Sequence, residues 1–159
     1  MDNYWLGLIS SYSILWEKIM VTVRFKKLYT DAKPFVYTRD NDACMDIYSY
    51  GKYVIPKYSH VLVKTGIAVE VPFGFEGIIR GRSGLASKGI FAHVGTIDEE
   101  YRGEVGVILY NMTGDNFTIS DGMRIAQFTV KPCYHINMLE EDELSNTRRG
   151  ENGFGSSGC

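Results

Sequence analysis

The chain has little excess charge of either sign. Its 19 acidic and 17 basic residues leave a formal net charge of −2, so no general attraction to nucleic acid is expected, and a nucleotide would have to be held by a local constellation rather than a basic face. Cysteine is scarce as well: Cys44, Cys133 and Cys159 are odd in number and far apart, with no CxxC pair and no nearby histidine cluster. Their placement argues against a disulfide framework and a zinc site, and fits a reducing compartment. Long hydrophobic runs are missing too. The most apolar stretch, Trp5 to Met20, has no basic lead and carries Glu17 and Lys18, which is too short and too interrupted to span a bilayer and lacks a signal peptide's charged start. No internal repeat or long linker divides the 159 residues, 45% of them hydrophobic, so they read as one globular domain. The expectation is a soluble intracellular protein, cytoplasmic or nuclear, with neither a membrane nor a nucleic acid as partner.

What is present is β-strand patterning. From Ser59 to Val71, the residues Val61, Val63, Thr65, Ile67, Val69 and Val71 occupy every second position, which is the strand period and not the helical one. Short β-branched runs recur at Val105 to Leu109, Phe117 to Ile119 and Ile125 to Val130, bounded by turn signals such as "NMTGDN" and "SDG". Many short strands of this kind predict an all-β sandwich or a closed, jelly-roll-like barrel. Only two stretches invite a helix: the N-terminal extension, and Ser83 to Lys88, which Gly89 would stop. The acidic run Glu140 to Glu143 reads as a solvated connector.

Polar residues crowd into a few places where strands and turns do not require them. "RGRSGLASKG", Arg80 to Gly89, sets arginines, a serine hydroxyl and backbone amides around glycines. That suits an anion, and equally a capped turn. "HVGTIDEEYRGEV", His93 to Val105, places Asp98 after the apolar Ile97 with Tyr101 three residues on. Its carboxylate could serve as a general base, or the acids could cap amides in a plain turn. "GMRIAQF", Gly122 to Phe128, carries Arg124 and Gln127 in an otherwise apolar run. The chain ends on "RGENGFGSSGC", where Gly153, Gly155 and Gly158 match GxGxxG. A dinucleotide-binding turn needs a strand before it and a helix after, and neither fits here. A P-loop needs Gly-Lys-Ser/Thr, which is absent.

In this order the segments resemble the five motifs of the trimeric deoxyuridine triphosphatase (dUTPase) family: "ACMDIYS" from Ala43, "GRSGLASKG" from Gly81, "VGTIDEEYRGEVGVIL" from Val94, "GMRIAQF" from Gly122 and "RGENGFGSSG" from Arg149. The resemblance spans Met20 to Gly158 and implies an all-β, jelly-roll-like distorted barrel, a homotrimer with shared active sites, and hydrolysis of dUTP to dUMP and pyrophosphate. It divides the chain into an extension of residues 1–19, a barrel of residues 20–147 and a mobile glycine-rich lid of residues 148–159. Such an enzyme, cellular or virus-encoded, limits uracil incorporation into DNA and supplies dUMP for thymidylate synthesis. Two alternatives are a catalytically weak nucleotide-binding or regulatory relative and a dCTP deaminase of related fold.

The resemblance also implies roles. Asp98 would hold the sugar's 3′-hydroxyl and orient the attacking water. Tyr101 would lie against the deoxyribose and leave no room for a 2′-hydroxyl. Backbone around Ala92, Gly95, Thr96, Ile97 and Gly106 would read the uracil edge. Arg82, Ser83 and Gly84 from another chain, with Gln127, would hold the phosphates; Arg149, Gly155 and Ser156 would reach the γ-phosphate while Phe154 stacks on the base. Mg2+ would be chelated mainly by the phosphates, with Asp46 left between a water-mediated metal contact and a structural role. The sequence departs from the family's pattern at Cys44, at Gly81 in place of proline, at Ala92 and His93, and at Asn152 in the lid.

Overall fold

The structure is a computed structural model that describes residues 20–153. The extension 1–19, including the helix expected there, and the end of the expected lid, residues 154–159 with Phe154, Gly155 and Ser156, lie outside the described residues. Among the described residues ten strands run in chain order: β1 (Arg24–Lys27), β2 (Met45–Tyr48), β3 (Tyr53–Ile55), β4 (Ser59–Glu70), β5 (Phe75–Arg80), β6 (Ile90–Ala92), β7 (Gly95–Ile97), β8 (Glu104–Asn111), β9 (Phe117–Ile119) and β10 (Arg124–Pro132). A single turn of helix, α1 (Ser83–Ala86), interrupts them where the sequence placed a short helix. Gly89, at φ +77°, takes the left-handed conformation that turns the chain out of it.

Two four-stranded antiparallel sheets, ordered β1-β4-β8-β6 and β2-β10-β5-β7, share one core with the two-stranded β3-β9 ribbon. The fold is all-β and jelly-roll-like, as expected. Ile67, Val107 and Leu109 come to the core from the first sheet, Ile47 and Ile125 from the second, and Ile55 and Ile119 from the ribbon, each at most 1% exposed. Burying one such side chain contributes about 1.5–3 kcal/mol.

The long strand β4 shows what the period-2 pattern could not. Lys64 pairs with Gly106, but the next partners are Ala68 and Glu104, so three residues of β4, Thr65 to Ile67, lie opposite the single Val105 of β8. The bulge sits at Gly66, whose φ of +69° and whose missing Cβ, 2.8 Å from the Ala32 Cβ, both require glycine. From Thr65 to Val69 every residue of β4 is buried, and at the bulge Ala32 and the stacked rings of Tyr29 and Tyr50 stand over Gly66.

Candidate active site

Strand β5 is the shared wall from which the site is built. It pairs with β10 on one side and with β7 on the other, setting Gly77 opposite Ile97 and Ile79 opposite Gly95. A Cβ on Gly77 would come within 2.8 Å of the Phe128 ring and 3.1 Å of the Ile97 Cβ, so glycine lets β7 lie close against the core. Ile97 is buried, and strand alternation sends the next side chain, Asp98, outward. The chain then reverses through a turn closed by the Tyr101 amide donating to the Asp98 carbonyl at 3.0 Å.

Around this turn lies an open cavity of about 240 Å³. Of the residues the sequence nominated, Gly95, Thr96, Ile97, Asp98, Tyr101 and Gly106 line it, while Ala92 stands at the neighbouring end of β6. Leu62, Ile79, His93, Glu104, Val105 and Ile108 complete the lining and were not nominated. A signal existed for two of them: Leu62 and Ile108 pair across β4 and β8 on the outward phase of strands whose inward phase is already apolar. Gly106 keeps the floor open, since a Cβ there would meet the Leu62 Cδ1 at 2.7 Å.

The three consecutive acids of the turn are not equivalent. The Glu99 carboxylate accepts a hydrogen bond from the Gly74 amide at 2.7 Å, and Arg102 caps the Glu99 and Tyr101 carbonyls. Asp98 is exposed at the cavity, and its carboxylate takes no hydrogen bond or ion pair among the described residues. A charged acceptor so placed is free to engage a ligand.

A second polar cluster stands apart from this cavity, on β2, β10 and α1. Asp46, 5% exposed, sits opposite Gln127, which in turn is opposite Arg80. One Asp46 oxygen accepts from the Thr38 hydroxyl at 2.7 Å and from Arg124 Nη1 at 3.2 Å. The other lies 3.2 Å from Arg82 Nε without a hydrogen bond of good geometry, and Arg82 Nη1 donates to the Arg124 carbonyl at 3.1 Å. Burial pushes the Asp46 carboxyl up, but the hydrogen bonds from Thr38 and Arg124 and the two guanidinium charges outweigh it and hold the group below its ordinary value. Ser83 and Gly84 are exposed beside Arg82, with open space where a Gly84 Cβ would stand.

Within one chain, then, the nominated residues fall into two groups: the Asp98 cavity on β7 and β8, and the arginine cluster with Gln127. The described part of the terminal segment joins neither group. Residues 131–153 are exposed throughout, the acidic run included, and Arg149 Nε donates to the Asn152 carbonyl at 2.9 Å within its own turn. Among the described residues no three His, Cys, Asp or Glu side chains converge as a metal cage, and no helix is long and apolar enough to cross a membrane.

Comparison with known proteins agrees with this geometry. The dUTPase family model matches residues 30–158. Deoxyuridine 5′-triphosphate nucleotidohydrolase of Clostridium tetani (strain Massachusetts / E88) is 45% identical over 140 residues, covering 86% of this chain and 97% of the relative. A point mutant of the Staphylococcus bacteriophage 80alpha dUTPase, solved with dUpNHpp, superimposes with a TM-score of 0.83 at 27% identity, over 88% of this chain and all of that one. An aspartate-to-asparagine mutant of the dUTPase from phage phi11 of S. aureus, which coordinates a structural Mg(II) ion, has the same fold at 22% identity and a TM-score of 0.74, over 79% of this chain and all of that one. The chain belongs to the dUTPase family.

Proposed function

We propose that the chain works as its family's enzymes do, hydrolysing dUTP to dUMP and pyrophosphate. The observation that carries this reading is the unpartnered Asp98 carboxylate at a small cavity, with Tyr101 on the same turn and the backbone of β7 on the facing wall. A volume of about 240 Å³ suits a base and sugar, with the triphosphate left outside. Main-chain donors and acceptors from Gly95 to Ile97 and at Gly106 read the uracil edge, and cytosine fails because its exocyclic amine reverses one partner. Asp98 holds the 3′-hydroxyl and takes a proton from the water as its oxygen bonds to the α-phosphorus. The bond from that phosphorus to the bridging oxygen breaks in line, and pyrophosphate departs.

The phosphates need cations and hydrogen-bond donors, and the ones the sequence nominated are elsewhere: Arg82 with Ser83, Gly84 and Gln127 on one surface, Arg149 on the tail. We take this separation to mean that a site is completed by neighbouring copies in a homotrimer, with Asp98 from one chain, Arg82 from a second, and the tail with Phe154, Gly155 and Ser156 from a third. The exposed apolar side chains of β4 and β8, Leu62 and Tyr110 among them, support such packing. Mg2+ fits as an ion carried by the substrate's three phosphates, because both oxygens of Asp46 already face arginines; when bound it neutralises the phosphate charge that repels the nucleophile. Purified protein incubated with Mg2+ and dUTP, dCTP or UTP, with products separated by chromatography, tests the reading. The expected result is dUMP and pyrophosphate from dUTP alone; ammonia and dUTP from dCTP would mark a deaminase, and no turnover of dUTP a binding protein.

A further inference from the structure

Tyr101 borders the cavity, and its ring is fixed by its own loop. The ring folds back along its own loop so that its hydroxyl donates to the Glu104 carbonyl at 2.9 Å, three residues on. The path runs directly over Gly103. A Cβ on that glycine would stand 2.4 Å from the Tyr101 hydroxyl oxygen, 2.6 Å from Cζ and 3.0 Å from Cε2, distances at which something must move. The backbone of Gly103 does not adopt a positive φ, so glycine is required there for space and not for conformation.

The acceptor is independently anchored. Glu104 opens β8, and its carboxylate accepts from the Gly66 amide at 2.8 Å, inside the β4 bulge, with Lys64 Nζ 3.8 Å from its second oxygen. The bulge itself is pinned, because Leu28 donates to the Gly66 carbonyl at 2.8 Å and Ala32 fills the space beside Gly66. On the other side, the Asp98 carbonyl and the Arg102 guanidinium hold the Tyr101 backbone. With both ends fixed, the side-chain torsions are what remain to place the ring, and the Glu104 carbonyl and the empty side of Gly103 decide them.

We propose that Gly103 and Glu104 are specificity-determining positioning residues: acting through the Tyr101 ring, they hold it where it excludes a 2′-hydroxyl. This rests on the reading of Tyr101 as the sugar-facing ring, and the experiment separates the two. The ratio of kcat/KM for dUTP to that for UTP is measured for the full-length protein and for Tyr101→Ala, Gly103→Ala and the double variant. A methyl on Gly103 lifts the ring off its acceptor, so Gly103→Ala narrows the ratio by about tenfold, the scale on which one misplaced group acts in a fitted pocket. In the Tyr101→Ala background there is no ring to displace, and the same substitution changes the ratio no further.

Glu104→Ala, which removes the anchor without adding bulk, also narrows the ratio, whereas Glu104→Gln keeps an acceptor for the Gly66 amide and preserves it. This pair carries the test if Gly103→Ala does not fold. A Gly103→Ala enzyme with an unchanged ratio, beside a Tyr101→Ala enzyme with a narrowed one, overturns the proposal and leaves the role of Tyr101 standing. Equal narrowing by Gly103→Ala with and without the ring also overturns it. A ratio unmoved by Tyr101→Ala overturns the reading of the ring itself.

Discussion

Arg82 Nε lies 3.2 Å from one oxygen of Asp46, and that contact, together with the bond from Arg82 Nη1 to the Arg124 carbonyl, sets the arginine's direction. The second oxygen is shared by Arg124 and Thr38, so a single buried carboxylate orders two guanidinium groups. A charge taken out of water is tolerable only when paired in this way. Asp46 thus acts on Arg82 from inside the fold.

The pH dependence follows with a definite sign. A carboxyl whose folded-state value is lowered contributes stability above its unfolded value, near 3.9, and loses that contribution as pH falls through the lowered one. Asp46→Asn should therefore cost about 2 kcal/mol at neutral pH, where it breaks charged hydrogen bonds. The deficit should shrink steadily below about pH 4, as the wild-type carboxyl also becomes neutral. Urea unfolding of both proteins from neutral pH into acid measures this; a deficit constant with pH would mean that shape, not charge, accounts for the loss.

Asp98 should behave in the opposite way. It has no partner in the fold to lose, so Asp98→Asn should leave the unfolding midpoint within experimental error while turnover of dUTP drops by roughly a hundredfold or more. Nucleotide binding, followed by calorimetry with a non-hydrolysable analogue, should survive. Near-normal turnover would move the base to another residue.

The contrast between these two acids shows how much of the molecule was legible in its sequence. Alternation is a property of one strand at a time, so the strands Ser59–Glu70, Glu104–Asn111 and Arg124–Pro132 announced themselves, while Phe117–Ile119 was marked by the turn residues around it and the single turn at Ser83–Ala86 by the glycine that stops it. The motif order pointed to Asp98, Tyr101 and the β7 backbone, and these do meet at one cavity. Strands of three or four residues such as Ile90–Ala92 and Met45–Tyr48 are too short to show a period and exist because longer neighbours pair with them. The bulge at Gly66 and the bond from its amide to Glu104 join residues 38 positions apart, a separation that no local pattern encodes. The same holds for Thr38, whose hydroxyl reaches Asp46 from outside every motif.

Asn111 was another residue that local pattern hid, because it closes a strand that otherwise reads as apolar. It is fully buried; its amide donates to the carbonyls of Ile55, Pro56 and Asp115, and its oxygen accepts from the Thr113 amide and hydroxyl. Replacement by alanine takes the amide donor from the Ile55 and Pro56 carbonyls at the junction of β3 and β8, while the Asp115 carbonyl keeps the Thr113 hydroxyl. Asn111→Ala should cost about 3 kcal/mol, the scale for unsatisfied buried groups, without changing kcat of the folded fraction. Denaturant titration alongside active-site-normalised kinetics checks both halves, and a cost below about 1 kcal/mol would show that water replaces the amide.

The separation of Asp98 from the exposed tail leads to a complementation test. Protomers lacking Arg149 to Cys159 and protomers carrying Asp98→Asn should each be nearly inactive when pure. In a cyclic trimer where every site takes Asp98 from one chain and the tail from another, any mixed trimer holds one site with both good parts. Random reassembly at equal amounts makes about three quarters of the trimers mixed, so activity should recover to about a quarter of wild type on this symmetry argument. The two proteins must be unfolded and refolded together so that chains exchange, with separately refolded proteins combined afterwards as the control. If tail and aspartate served the same site from the same chain, every site would still lack one of them and nothing would return. Mass spectrometry showing mixed trimers without recovered activity would therefore assign the tail to its own chain's Asp98, whereas a truncated protein that is active when pure would deny the tail a catalytic role.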